Sequence, residues 1–273
     1  MLSLVTIIYN NLKTMLPRST PTLSKRMHIT TCKMGRIDNG KGSQRALIET
    51  VRDRSSKAVL EEKLREAFPK WEECTFKWLS PIEDDGYKEY TGKRFWEMIY
   101  SSAGKTPLTE ISGFWPLKGC HWDGVVEVLQ KGRRVGIILI EAKAHSSELR
   151  STISARSETS IRIILDTLRK VKSELRVSEE RDWTGQYYQS ANRIAHVLHL
   201  NSRDILKPIT YALANLYFLN DKFAGEKCNE HFESEKEWTP FIKKEYDYLG
   251  ITPEDHPLLK NHIKNIFIDA PEY

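Results

Sequence analysis

Acidic residues are missing from the first 37 positions of this 273-residue chain. Six basic residues stand there instead: Lys13, Arg18, Lys25, Arg26, Lys33 and Arg36. The whole chain carries a formal charge of +5, so those six leave −1 for the remainder. A nearly neutral body removes net charge as an argument for a nucleic-acid partner. No run of about 18 apolar residues occurs, so no membrane-spanning helix is indicated. Cysteine is scarce: Cys32, Cys74, Cys120 and Cys228 show no CxxC spacing. Disulfides are not implied, and a reducing, cytoplasmic setting fits. Cys228 and His231 form a lone CxxH, short of the four ligands that a structural zinc site needs. There is no internal repeat.

What is present divides into two parts. Residues 1–34 read as a disordered basic leader, with a transit peptide or a start at Met15, Met27 or Met34 as alternatives. Residues 35–273 read as a single α/β domain, a length that can bury a sizeable core. Apolar residues at helical spacing predict a helix over about 45–69, with Leu47, Val51, Ala58, Leu64 and Phe68. The stretch 78–92 has turn chemistry, and 93–102 reads as a short helix. Strands are predicted over 123–129 and 134–143, joined by the tight polar link Lys131-Gly132-Arg133-Arg134. The second is continuously apolar from Val135 to Ile140, as a central strand buried on both faces should be. Ile161, Ile164, Leu165, Leu168, Val171 and Leu175 mark the next helix. Another is expected over about 180–200, with Tyr187, Ala191, Ile194 and Leu198 on one face. A buried strand over 208–219, a helix over 236–249 and a short last strand at 265–270 complete the pattern.

The chemistry gathers at the strand pair. Side chains alternate along a strand, so Glu141 and Lys143 share one face and Ala142 points to the other. Antiparallel pairing through the short link would bring Asp123 beside them. Two carboxylates and an ammonium suit a hard divalent cation, magnesium with manganese as the alternative, which would lower the pKa of a water and neutralise phosphate charge. A second E-x-K, at Glu61 and Lys63, lies in a predicted helix and reads as a solvated surface. The copy at 141–143 differs because it ends a very apolar strand, where charges need partners.

The Trp122-Asp123 pair, 17 intervening residues and Glu141-Ala142-Lys143 resemble the PD-(D/E)xK nuclease superfamily. Trp122 stands where that pattern has proline. GSQR, FWP, WDG, IEAKAH and YYQSANR are similar to a group of uncharacterised bacterial proteins related to those nucleases, over about 35–250. The resemblance implies a restriction-endonuclease-like α-β-β-β-α-β core, with a mixed central sheet flanked by helices. It implies magnesium-dependent hydrolysis of nucleic-acid phosphodiesters, DNA before RNA. Asp123 and Glu141 take the metal-ligand positions and Lys143 that of the lysine. Glu97 is the candidate for a further helical glutamate, with Glu110 as alternative. Gln189 is the candidate for a glutamine after the E-x-K strand, with Gln186 as competitor.

Phosphate contacts are expected from His145, Arg162, Arg169, Lys170 and Arg193, each with a solvated surface as the plain alternative. A homodimer is compatible with this reading. A competing site is Gly35–Lys41, which matches GxxxxGK of a phosphate loop but continues with Gly42 where Ser or Thr is needed. A non-catalytic nucleic-acid or protein-binding module on the same fold is the other function class left open.

Overall fold

A computed structural model describes residues 42–101, 111, 113–221 and 232–272. The leader and the GxxxxGK segment therefore lie outside the described residues, as do Glu110 and the Cys228–His231 pair. The strands are β1 (Thr75–Ser80), β2 (Tyr90–Thr91), β3 (His121–Trp122), β4 (Gly124–Gln130), β5 (Arg133–Lys143), β6 (Thr210–Leu219) and β7 (Ile263–Asp269). The α-helices are α1 (Ser43–Arg52), α2 (Arg54–Ala67), α3 (Gly92–Ser101), α4 (Glu158–Glu174), α5 (Tyr188–Ser202) and α6 (Glu235–Leu249). Five strands form a mixed sheet in the order β1-β4-β5-β6-β7. β4 runs antiparallel to both β1 and β5, while β6 and β7 continue parallel to β5.

The apolar run 135–140 thus builds the middle strand of the sheet, and helices cover both faces. Ile138, Ile140 and Ala142 pack with Leu47, Leu60 and Leu64 of α1 and α2. Ile137 and Leu139 pack on the opposite face, in the core that holds Trp96, Leu168, Ala195 and Trp238 of α3, α4, α5 and α6. Lys131 and Gly132 take positive φ, 50° and 75°, in the β4–β5 link. Two such residues make the turn whose twist matches the strands, and glycine adopts that conformation without a Cβ penalty.

Three predicted boundaries move for local reasons. The helix expected over 45–69 is two helices, because Asp53 leaves helical geometry (φ −77°, ψ 123°) and its side chain accepts from Ser56 N at 2.7 Å. That bond satisfies an otherwise unpaired amide of the second helix. The helix expected from 180 starts at Tyr188, because Asp182 Oδ1 accepts from Thr184 N (2.9 Å) and Gly185 N (3.1 Å) and holds a turn. The turn-rich stretch 78–92 contains the end of β1, whose Phe76 and Trp78 alternate into the core.

Candidate active site

The register places the three charged residues together. Gly124 pairs with Ile140, so Asp123, one residue earlier, lies across from the end of β5. Asp123 Oδ2 accepts from Ala142 N at 2.8 Å, which ties the first carboxylate to the backbone between Glu141 and Lys143. Glu141 and Lys143 are buried, on the sheet face that α5 covers, and Asp123 is half-buried. Lys143 Nζ donates to Glu141 Oε1 at 2.5 Å and to Gln189 Oε1 at 3.0 Å. Gln189 sits in the first turn of α5, and Ser151 Oγ accepts from its backbone N at 2.7 Å.

One helical turn further, Arg193 completes the cluster. Its Nε donates to Glu141 Oε2 at 2.7 Å, and its guanidinium carbon lies 4.6 Å from the centre of the Trp122 ring. A terminal guanidinium nitrogen donates to the His121 carbonyl. Arg193 was expected at a phosphate; it is 4 % exposed and faces inward to Glu141. A buried carboxylate needs a paired cation, and this helix position supplies one.

The electrostatics follow from burial and charge count. Burial and the neighbouring Glu141 push the Asp123 carboxyl up to about 8, against the pull of Lys143. Burial would also raise Glu141, but Arg193 and then Lys143 outweigh it and hold that carboxyl below its usual range. Burial would lower Lys143; Glu141 and Asp123 reverse this and hold the ammonium charged. Two carboxyl groups thus share the site with two cations, Lys143 and Arg193, and Asp123 is the carboxyl that keeps its proton near neutrality. Carboxylate oxygens are the donor type that magnesium takes. Among the described residues, no three His, Cys, Asp or Glu side chains cluster to hold a metal ion.

The other expected residues fall elsewhere. Glu97 lies exposed on α3 and pairs with Lys93 at 3.2 Å, an i,i+4 surface pair. Its neighbours Phe95, Trp96 and Met98 take the inward face of the helix, which leaves the carboxylate outside. Gln186 contributes its backbone oxygen, which accepts from Ser151 N at 2.7 Å. His145 is engaged locally, with Ser147 Oγ at 2.7 Å and Glu148 Oε1 at 3.3 Å. Arg162, Arg169 and Lys170 stand on the exposed face of α4, and Arg169 pairs with Asp166 at 2.9 Å. The competing phosphate loop, Gly35–Lys41, lies outside the described residues; just after it, Ser43 N donates to Glu148 Oε1 at 3.3 Å. A carboxylate thus already meets the start of α1, where a phosphate would have to bind.

The face of α5 predicted from Tyr187, Ala191, Ile194 and Leu198 is buried, but the enclosure of its polar residues was not anticipated. Asn192, Arg193 and His196 are all enclosed, alongside Ala191, Ile194 and Ala195. Cys120 Sγ lies 2.6 Å from Asn192 Oδ1 and 3.3 Å from the His196 ring nitrogens. Burial pushes this thiol up to about 12 and His196 down to about 3. The pair stays thiol and neutral imidazole, so it is no thiolate nucleophile. On α6, buried Glu245 accepts from Ser190 Oγ, beside Gln189.

The chain matches no family model, no curated protein and no solved structure. Among the described residues, no helix is long and apolar enough to cross a membrane.

Proposed function

We propose that this chain is a metal-dependent nuclease that hydrolyses phosphodiester bonds, with DNA favoured over RNA. One observation carries the reading: Asp123 and Glu141 converge at the ends of β4 and β5, with Lys143 and Gln189 against them. The element order accords with it. With β2, α3 and β3 set aside as an insertion after β1, and α4 as an extra helix before α5, the elements α2, β1, β4, β5, α5 and β6 are compatible with the α-β-β-β-α-β order that the resemblance implies.

Magnesium, held by Asp123 and Glu141, would supply a Lewis acid that polarises the phosphate and makes water nucleophilic at neutral pH. The protein's own groups prepare the rest. Ala142 N fixes the Asp123 carboxylate. Arg193, clamped over Trp122, fixes Glu141. Gln189 holds the Lys143 ammonium in one direction, where it can meet negative charge that develops on the phosphate. Burial of Glu141 and Lys143 strengthens these interactions relative to water.

The test is cleavage of labelled DNA and RNA by the wild type with magnesium or manganese, beside Asp123→Ala and Lys143→Ala. The expected result is cleavage by the wild type that both variants lose. Undiminished cleavage by both would reject this site. A second reading, a binding module without catalysis, draws on the engagement of both Glu141 oxygens by Lys143 and Arg193. It predicts that the wild type binds and cleaves nothing with either metal.

A further inference from the structure

We infer that the cleft beside this site holds an unpaired nucleic-acid strand, with a base against Tyr188 and the backbone phosphates on Lys118 and Arg156. The cleft encloses about 830 Å³, within the usual range of ligand sites. Gln189, Asn192 and Arg193 line it, the same turns of α5 that touch Lys143 and Glu141. A strand lying here therefore passes next to the proposed catalytic groups. The inference rests on the nuclease reading for why a strand comes to this place, and on the cleft's own lining for how it is held.

The lining has the chemistry of single-strand recognition. Tyr188 is half-buried in the cleft wall, and the enclosed Trp115 ring backs it near-parallel, 22° apart with centroids at 6.4 Å. Bases stack on such rings without regard to sequence, provided that their faces are not already stacked in a duplex. Among the described residues, those lining the cleft that are charged at neutral pH are basic: Lys118, Arg156 and Arg193. Lys118 and Arg156 are exposed, while Arg193 is committed to Glu141. Ser151, Thr152 and Ser154 add hydroxyl donors between them. A second depression of about 420 Å³ shares Lys118 and His121 with the cleft and adds Lys93 and Arg94, with no acidic lining among the described residues. Lys93, Arg94 and His121 are already paired with Glu97, Asp85 and Glu89, so this hollow adds little positive charge beyond Lys118. In a body close to neutral, the exposed Lys118 and Arg156 of the cleft give backbone phosphates two local contacts. The chamber admits roughly a nucleotide or two, not the cross-section of a duplex.

The test is binding, measured without divalent metal, of fluorescent oligo(dT), oligo(rU) and a hairpin duplex to the full chain. Binding is repeated with the surface double variant Lys118→Glu, Arg156→Glu and with Tyr188→Leu, and folding is checked by circular dichroism. The expected result is that one of the single strands binds at least about tenfold more tightly than the duplex. The charge reversals should remove at least about tenfold of that affinity, and the log–log salt slope should fall by about 1.4 for two lost phosphate contacts. Equal or tighter duplex binding overturns the inference, as does unchanged single-strand affinity in a folded charge-reversed variant. Cleavage with magnesium is assayed in parallel. A wild type that cleaves but shows no single-strand preference overturns the cleft and leaves the nuclease reading standing. One that binds single strands through the cleft and cleaves nothing removes the nuclease reading and keeps the cleft.

Discussion

Arg193 Nε donates to Glu141 Oε2 at 2.7 Å, joining a helix to the central strand across 52 positions of sequence. Both side chains are almost fully enclosed, with 4 % and 6 % exposure. Lys143 takes the other oxygen of Glu141, so one buried carboxylate lies between two cations. With Asp123 and Arg193 included, two carboxyl groups and two cations meet here, and burial with the neighbouring Glu141 pushes the Asp123 carboxyl up to about 8.

Arg193→Met should destabilise the protein by about 3–5 kcal/mol, because it leaves a buried charge without its partner. Adding Glu141→Gln should recover part of the loss. Urea unfolding of the two variants and the wild type checks this. A loss below about 1 kcal/mol for Arg193→Met would mean that the pair is not enclosed in solution.

Asp123→Asn replaces a carboxyl that the native state keeps protonated up to about 8, at a cost above the ordinary 3.8 where the unfolded chain ionises, while keeping an oxygen for Ala142 N to bond. In the absence of metal, this variant should melt at or above the wild-type temperature. Thermal denaturation in the presence of a chelator measures it. A melting temperature several degrees lower would show that Asp123 stabilises the fold and is not held there at a cost.

The strand pair was legible in the sequence because two rules act without tertiary help. Strict alternation places Glu141 and Lys143 on one face, and a short polar link forces β4 back along β5, which delivers Asp123. Gln189 was reachable by its position on a helix after the E-x-K strand. Arg193 was not read inward, because an arginine on a helix is ordinarily solvated, and only the buried Glu141 at the end of β5 decides otherwise. The cleft was illegible because its walls come from separate segments near 115–121, 151–160 and 188–193. Glu97 followed the family pattern, while local packing of Phe95, Trp96 and Met98 turned it outward. β1 was hidden by its brevity and by the cluster of turn residues that follows it.

Glu245 should make stability fall as pH rises. Burial pushes its carboxyl from an ordinary 4.5 up to about 7. Between those values the native state keeps a proton that the unfolded chain has lost, so the native state binds more protons and deprotonation favours unfolding. Glu245→Gln keeps an acceptor for Ser190 and removes the titration. Its stability relative to wild type should rise across pH 4.5–7, at up to ~1.4 kcal/mol per unit. A difference independent of pH across that window would place a charged Glu245 in solvent.

His196 acts in the opposite direction. Enclosed beside Trp96 and Trp115 at ring distances of 5.7 and 4.8 Å, its imidazole is pushed by burial from 6.5 down to about 3. The unfolded chain takes up a proton below 6.5 that the native state refuses until about 3, so stability contributed by neutral His196 is lost as pH falls through that window. Imidazole nitrogen shifts in an NMR titration should show His196 still neutral at pH 5 in folded protein. A charged ring at that pH would contradict the enclosure.

Single-turnover cleavage of labelled oligonucleotides, single-stranded and duplex, by wild type and Asp123→Asn with magnesium tests the central claim most directly. Because Asp123→Asn is expected to remain fully folded, lost activity cannot be ascribed to unfolding. The account predicts metal-dependent cleavage by the wild type that chelation abolishes, and none by folded Asp123→Asn. Cleavage by the folded variant at the wild-type rate, or no cleavage of any oligonucleotide by the wild type, would contradict it.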